Sequence, residues 1–498
     1  MPAMPVLHDS TAARKIDRQA TLALGGDGYV LMQRAGMAAW RVLLQRWPQA
    51  QRVLVACGSG NNGGDGYVLA RLALQSGRRV RVVHPADGGP RTPLAQRACT
   101  EYVAIGGHVD VFPAGLDDAD VIVDALFGIG LAQAPRDGTA ALIQALNDTG
   151  APVFSLDVPS GIDADRGSAP GAAIHAQCTL QFIVAHAGLH TGAALDHAGE
   201  LLLDPLEVDA TRYEGSAPAA AALLAAPALR AWLPRRRRDT HKGQSGRVLC
   251  VGGDHGGGGA IVLCAEASLR GGAGLASVAT RAGHVPAIVA RCPEVMARAV
   301  EGTGEFAPML EAAGVVACGP GLGQDEWGGA LFRRVLASGR PLVLDADALN
   351  LLATASRALP VPADAILTPH PGEAARLLGT DTSTVQRDRF AALARLVERY
   401  ACTVVLKGAG TLVGAPGQVP CVLAAGNPGM ATGGMGDLLT GTIAAMRAQG
   451  LPAFEAACAG ALLHGLAGDA AAAHGGQRGL MPSDLLPWLR HFANPGDE

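Results

Sequence analysis

Asn427-Pro-Gly-Met-Ala-Thr-Gly-Gly-Met-Gly-Asp437, running into Leu438-Leu-Thr-Gly-Thr-Ile-Ala-Ala-Met446, decides how this chain is read. Glycines crowd the point where a loop becomes an apolar helix, and one carboxylate stands in the first turn. A helix N-terminus presents unpaired N–H groups and a partial positive charge, so it attracts anions. Glycines let that backbone close on a phosphate with no Cβ in the way. Asp437 is out of place if the loop only holds phosphate, because like charges repel. It makes sense as a base that removes a hydroxyl proton while N–H groups hold the transferring phosphoryl oxygens. The stretch predicts phosphoryl transfer to an alcohol; the plainer alternative is a glycine turn whose aspartate caps a helix.

A chain of 498 residues implies two or more domains. With 49% hydrophobic and 17% charged residues, both halves can bury sizeable cores. Aromatics make up only 4%, so packing rests on Ala, Val and Leu. The formal charge of −4 argues against nucleic acid or a membrane surface as partner. One basic run, Arg235–Arg238, is either a solvated connector or a lure for a phosphate-rich ligand at the second domain's mouth. None of the ten cysteines forms a CxxC pair, which suits small buried hydrophobes in a reducing cytosol. With no leader pattern and no apolar run of membrane length, a soluble, cytoplasmic protein is expected. A homo-oligomer is expected as well.

Short β-branched runs alternate with Ala/Leu-rich helical stretches, the pattern of parallel α/β sheets. Strands are expected at Arg52–Cys57, Arg79–His84, Val121–Asp124, Val153–Asp157 and Thr179–Val184, then at Val248–Gly252, Val315–Cys318, Leu342–Asp345, Ala365–Thr368 and Thr403–Lys407. The low-complexity stretch Gly215–Pro227 separates the halves. The expected domains are 1–222 and 223–498, two different folds joined rather than one duplicated.

In the first half, strand Arg52–Cys57 runs into Gly58-Ser-Gly-Asn-Asn-Gly-Gly-Asp-Gly66 and then an apolar helix, Tyr67–Gln75. That is the usual place for a phosphate or dinucleotide in an open α/β sheet, although no standard fingerprint or Walker lysine is present. Val123-Asp-Ala-Leu-Phe-Gly-Ile-Gly130 and Leu156-Asp-Val-Pro-Ser-Gly161 place Asp124, Asp157 and Ser160 at two further strand ends. Asn62, Asp65, Asp124, Asp157 and Ser160 could share one crevice. A carboxylate, an amide and a hydroxyl are hard oxygen ligands, suited to an alkali or alkaline-earth cation rather than zinc.

The strings NNGGDG, DALFGIG and DVPSG, in this order, resemble the NAD(P)H-hydrate epimerase family over nearly the whole first half. The resemblance implies a Rossmann-like three-layer α/β/α domain. It implies that Asn61, Asn62, Gly63, Gly64 and Asp65 contact the hydrate, with Gly128, Ile129, Gly130, Leu131, Ala132, Gln133, Ala134 and Asp157. Asn62, Asp124 and Ser160 would be potassium ligands. Asp124 is also the candidate for handling a proton at the hydrated carbon, and the sequence does not separate its two roles.

In the second half, the ordered strings are His241-Lys-Gly243, Gly252–Ala260, Gly319-Pro-Gly-Leu-Gly323, Asp345-Ala-Asp-Ala-Leu-Asn350, Thr368-Pro-His-Pro-Gly-Glu373 and Val405-Leu-Lys-Gly-Ala-Gly-Thr411. With Asn427–Asp437 they resemble the ribokinase-like superfamily, specifically its ADP-dependent NAD(P)H-hydrate dehydratase branch. A ribokinase-like α/β domain is implied. Ala260, Gly321 or Gly323, His370 and Asp437 would contact the hydrate; Lys407, Gly408, Ala409, Gly410, Thr411 and Gly436 would hold the nucleotide. Lys407 at a strand end can neutralise phosphate. Magnesium normally bridges donor phosphates in such sites, and Glu373 is an open possibility as ligand. His255 departs from the small polar residues of many relatives.

The implied substrates are NADH-hydrate, NADPH-hydrate and ADP. Asp437 would deprotonate the ring hydroxyl, which attacks the terminal phosphate of ADP. Phosphate then leaves, giving NADH or NADPH, AMP and phosphate. The dehydratase accepts only the S epimer, and an attached epimerase would let R and S both be repaired. The alternative is a vitamin or sugar-alcohol kinase fused to a non-catalytic nucleotide-binding module, which would release a stable phosphorylated product.

Overall fold

The computed structural model describes residues 2, 4–86, 88–114, 116, 118–131, 133–213, 215–355 and 359–496. The chain divides into two compact units, Val6–Ala221 and Ala222–Glu498 with Met1–Pro5.

The first unit is built on seven parallel strands, β1 Arg52–Cys57, β2 Arg79–His84, β3 Val109–Val111, β4 Val121–Ala125, β5 Val153–Leu156, β6 Cys178–Phe182 and β7 Glu200–Asp204. They lie in the order β3-β2-β1-β4-β5-β6-β7. The order reverses between β1 and β4, where Val53 pairs with Val121 and Cys57 with Ala125. Ligands bind outside the carboxyl ends of strands at such a reversal. Alternation along β1 sends Val53, Val55 and Cys57 into one core with helices Tyr29–Arg46 and Asn61–Gln75. Leu54 and Ala56 enter another with Leu142, Ile143 and Leu146 of helix Asp137–Asp148. Burial on both faces explains the near-continuous apolar runs. The fold is a Rossmann-like three-layer sandwich.

Most expected strands shift at an end by one or two residues, and the largest difference lies at the glycine turn. The helix expected to start at Tyr67 starts at Asn61, so NNGGD forms its first turn rather than a loop. Glycine is a poor helix former, but here close packing decides. A Cβ on Gly63 would run into the carbonyl of Gly58, and one on Gly66 would stand 2.7 Å from Ala125 Cβ.

In the second unit the strands are β8 Ala221–Leu224, β9 Arg247–Val251, β10 Leu275–Thr280, β11 Met296–Ala299, β12 Val315–Cys318, β13 Leu342–Leu344, β14 Ile366–Leu367, β15 Thr403–Leu406, β16 Leu412–Gly414 and β17 Cys421–Leu423. Their order is β11-β10-β9-β12-β13-β14-β15-β16-β17-β8. Strand β16 runs antiparallel to both β15 and β17. Helix Met435–Ala448 lies so close to helix Gly258–Arg270 that a Cβ on Gly441 would meet the Cys264 carbonyl. That contact brings Asp437 and Ala260 to one end of the sheet.

Against the expectation of no run of membrane length, helix Ala453–Gly475 is 23 residues long and, by length and composition, apolar enough to cross a membrane. Its most apolar window is 72% buried, packed on helices Met435–Ala448 and Pro482–Phe492. A helix apolar all round is what the centre of a large core requires. All ten cysteines are free and nine are buried.

Candidate active sites

In the first unit, Asn62 and the ends of β4 and β5 meet. Asn62, 9% exposed, donates from Nδ2 to the carbonyls of Phe127 (3.0 Å) and Leu156 (3.1 Å). Its Oδ1 is buried and has no hydrogen-bond partner among the described residues. Ser160 Oγ accepts from Phe127 N (2.9 Å) and donates to Asp124 Oδ1 (2.6 Å). Asp124 is fully buried and also accepts from Ser160 N (2.8 Å), Ser155 Oγ (2.8 Å) and Leu126 N (3.2 Å). Burial pushes its carboxyl up, and the Ser160, Ser155 and Leu126 donors pull against that shift. With four protein donors on two oxygens, Asp124 has the surroundings of a fixed anchor. Those surroundings speak against the proton-handling role raised from sequence.

Asp157 has a different character. Its backbone is left-handed at φ +65°, a strained setting for a residue with a side chain. Oδ2 accepts from Ile129 N (3.2 Å), and Oδ1 lies 2.9 Å from His186 Nε2. Gly128 must lack a side chain here, since a Cβ would sit 2.6 Å from Asp157 Oδ2. His186, 1% exposed, is placed by a short strand, Ala185–His186, paired in parallel with Val6–His8. Burial raises the Asp65 carboxyl well above the usual range, with Asp157 and Asp17 adding repulsion. Asn61 instead accepts from Thr92 Oγ1 (2.7 Å) at the exposed rim. Gly63 and Gly64 are buried in the same turn, while Ile129, Gly130, Leu131, Gln133 and Ala134 follow Gly128 along an open loop. Ala132 lies outside the described residues.

In the second unit, Asp437 stands in the first turn of its helix, behind Gly434 at φ +95°. Burial lifts its carboxyl to about 6, with Asp345 and Asp347 adding to the shift and Lys407 opposing it. Asp345, at the end of β13 and 1% exposed, accepts from Lys407 Nζ (2.6 Å) and Thr440 Oγ1 (2.8 Å). Lys407 also lies 3.7 Å from Glu373. Burial disfavours its ammonium, but the Asp345 and Glu373 carboxylates outweigh that and hold its pKa above lysine's ordinary value. The charge expected to neutralise phosphate is thus already engaged by two carboxylates. Gly436 lies over this pair, where a Cβ would be 3.2 Å from Lys407 Nζ.

His370 caps helix Pro371–Leu378: Nδ1 accepts from Gly372 N (3.0 Å), and its backbone N–H donates to Glu373 Oε2 (2.8 Å). Glu373 is tied up as cap and as lysine partner, which speaks against it as a magnesium ligand. Gly408 and Gly410 have φ of +127° and +61°. Gly321 and Gly323 are left-handed too, and Gly323 N donates to Asp347 Oδ2 (3.0 Å). Ala260 sits in the first turn of its helix, and His255 is exposed in the loop before it. Among the described residues no three His, Cys, Asp or Glu side chains converge on a metal position.

Three residues that position the candidate sites have no role legible in the sequence. His186 is a single histidine in an apolar run. Asp345 was legible only as part of a string, without its role. Arg389, fully buried, donates to the carbonyls of Leu406 (3.2 Å) and Lys407 (3.2 Å), so it fixes the 407–411 loop from beneath.

Residues 248–489 match the family described as NAD(P)H-hydrate dehydratase, and residues 28–188 match YjeF-related protein N-terminus. A Coxiella burnetii protein named bifunctional NAD(P)H-hydrate repair enzyme is 45% identical, covering 99% of this chain and 100% of its own length. An Escherichia coli protein of the same name is 43% identical over 97% of this chain and 93% of its own. A crystallised ribokinase-like superfamily protein from Enterococcus faecalis aligns with a TM-score of 0.51 at 33% identity, covering 54% of this chain and 94% of that one.

Proposed function

We infer the chemistry of each half from one premise: this chain belongs to the family of bifunctional NAD(P)H-hydrate repair enzymes. The first unit epimerises hydrated NADH and NADPH, and the second dehydrates them in an ADP-dependent reaction. The observation that carries the second assignment is Asp437, a carboxyl lifted to about 6 in the first turn of a glycine-opened helix. A base of that strength is deprotonated at neutral pH yet takes up a proton far more readily than an ordinary aspartate.

In this reading the S hydrate lies against Ala260, Gly321, Gly323 and His370, with its ring hydroxyl at Asp437. Asp437 removes the hydroxyl proton as the oxygen attacks the terminal phosphorus of ADP, and AMP leaves. The ring nitrogen's lone pair then expels phosphate, and loss of the neighbouring ring proton restores the double bond of NADH or NADPH. Gly408, Ala409, Gly410, Thr411 and Gly436 hold the nucleotide, with Lys407 keeping the Asp345 and Glu373 carboxylates from repelling its phosphates. Magnesium carried on those phosphates would offset their charge.

In the first unit, Asp157 and Asp65, whose carboxyl Asp157 pushes further up, are the proposed acid–base pair, while Asn61–Asp65 and Gly128–Ala134 enclose the hydrate. The orphaned Asn62 Oδ1 fits a hard cation, and Asn62, Asp124 and Ser160 would hold potassium. Potassium would supply a fixed positive charge beside the hydrate's oxygens. The reactions belong to the cytoplasm, where the nicotinamide pools are.

Phosphorus NMR of a reaction with NADPH-hydrate and ADP tests the dehydratase. Orthophosphate and AMP in equal amounts are expected; a lasting phosphorylated hydrate would return the second unit to the kinases. The pH profile is a further expectation. Because Asp437 is lifted to about 6 and works deprotonated, kcat/KM for dehydration should be flat above about pH 7 and fall toward tenfold per unit below about pH 6. A profile flat to pH 4.5 would remove Asp437 as the base.

His186 gives a separate expectation. His186→Ala removes the partner of Asp157 Oδ1, a hydrogen bond to a charged group and so worth about 1.5–3 kcal/mol. Epimerisation kcat/KM should fall at least tenfold while dehydration of pure S hydrate is unchanged. Unchanged epimerisation would mean Asp157 needs no support from His186.

A further inference from the structure

The second unit contains a cavity of about 1010 Å³ that the proposed chemistry does not use. Its place in the fold separates it from Asp437. Helices Gly258–Arg270 and Met435–Ala448 both begin at the catalytic loops, and the cavity is lined at their far ends by Arg270, Gly271 and Gln449. At ~1.5 Å per residue these helices put roughly 20 Å between the two places.

The lining is strongly cationic. Six guanidinium groups from four separate stretches, Arg235–Arg237, Arg270, Arg291 and Arg490, meet two carboxylates, Glu266 and Glu294. Arg291 lies 3.5 Å from Glu266. Arg237 is held by Asp239 (2.8 Å), yet guanidinium groups still outnumber carboxylates at this spot, on a chain whose overall charge is −4. Chain stretches distant in sequence bring these like charges together at a cost in repulsion that a bound anion would relieve.

The wall is also built rather than loosely solvated. Arg236 Nη2 donates to the Gly272 carbonyl and to Gln449 Oε1 (2.7 Å), and Gln449 Nε2 donates to the Gly271 carbonyl (3.0 Å). Gly272, at φ +102°, lets the guanidinium come in, since a Cβ would stand 2.8 Å from Arg236 Nη2. Trp232, 6% exposed, and Leu233, Leu269 and Leu451 supply apolar wall beside this rim. Apolar walls with a few fixed polar groups, in a space of this size, are the usual make-up of a small-molecule site. Arginine forks match phosphate oxygens in pairs.

We propose that this cavity is a second ligand site, which takes a small molecule carrying two or more adjacent phosphates. It is distinct from the site that turns over the hydrate, and its occupant touches the ends of the two helices that carry Ala260 and Asp437. Titration calorimetry of the full chain with inorganic tripolyphosphate, without magnesium, tests it. The intact chain should bind with a micromolar Kd, and binding should weaken as salt rises. The exposed double variant Arg270→Gln/Arg490→Gln should bind at least tenfold more weakly, yet dehydrate the S hydrate with ADP at the normal rate. Equal affinity in the double variant would place the anion at the catalytic loops and overturn the proposal. No binding up to millimolar tripolyphosphate would overturn it too.

Discussion

Asp437→Asn is expected to slow ADP-dependent dehydration by roughly 10²–10⁴-fold while leaving epimerisation untouched. The substitution keeps shape and removes only the negative charge, so the fold should tolerate it. It should even relieve repulsion, because Asp345 and Asp347 both push the Asp437 carboxyl toward its protonated form. Affinity for ADP should hold or rise, since one anion fewer faces the phosphates. The kinetic signature is a loss in kcat with little change in the KM for ADP. Measured with pure S hydrate, a rate within tenfold of normal would mean that another group takes the hydroxyl proton.

The second large effect belongs to Asp124. Asp124→Ala strips the acceptor from the Ser160 N–H and hydroxyl, the Ser155 hydroxyl and the Leu126 N–H, all inside a closed core. Each buried donor left without a partner costs on the order of 1–3 kcal/mol, so the first unit should lose roughly 4 kcal/mol or more. Thermal unfolding should show the first unit melting well below the second, with epimerisation lost. A variant that melts normally and yet fails to epimerise would restore Asp124 as a group that acts on the hydrate. The two outcomes separate anchoring from chemistry, which its sequence position alone does not.

The parallel α/β fold was largely legible because the strands are buried on both faces and read as uninterrupted apolar runs. Val315–Cys318, buried throughout, stands where such a run predicts, and Arg79–His84 stands where an alternating β-branched run predicts. What escaped was decided by distant partners. The NNGGD turn reads as a loop by glycine propensity and becomes helix because Gly63 and Gly66 must pass close to Gly58 and Ala125. Three-residue strands such as β3, β16 and β17 are too short to carry a period. Helix Ala453–Gly475 lacks a polar face because it runs through the core.

The sites divide in the same way. Local strings such as the glycine-opened helix at Asp437 announce themselves. Pairings across the fold do not. Lys407 reads as a phosphate cation until Asp345, 62 residues away, is found on its Nζ. His186 acquires a role only when Asp157 is found 2.9 Å from its ring. Arg389 supports a loop through carbonyls at the end of the next strand, 17 and 18 residues away.

A chain of this family should repair both hydrate epimers, one unit interconverting R and S and the other dehydrating S. The check is to give the purified protein an equal mixture of R and S NADH-hydrate with ADP and magnesium, and to follow NADH absorbance to completion. Full conversion is expected, with AMP and phosphate formed one for one with NADH. Conversion that stops at half, with R hydrate left behind, would contradict it.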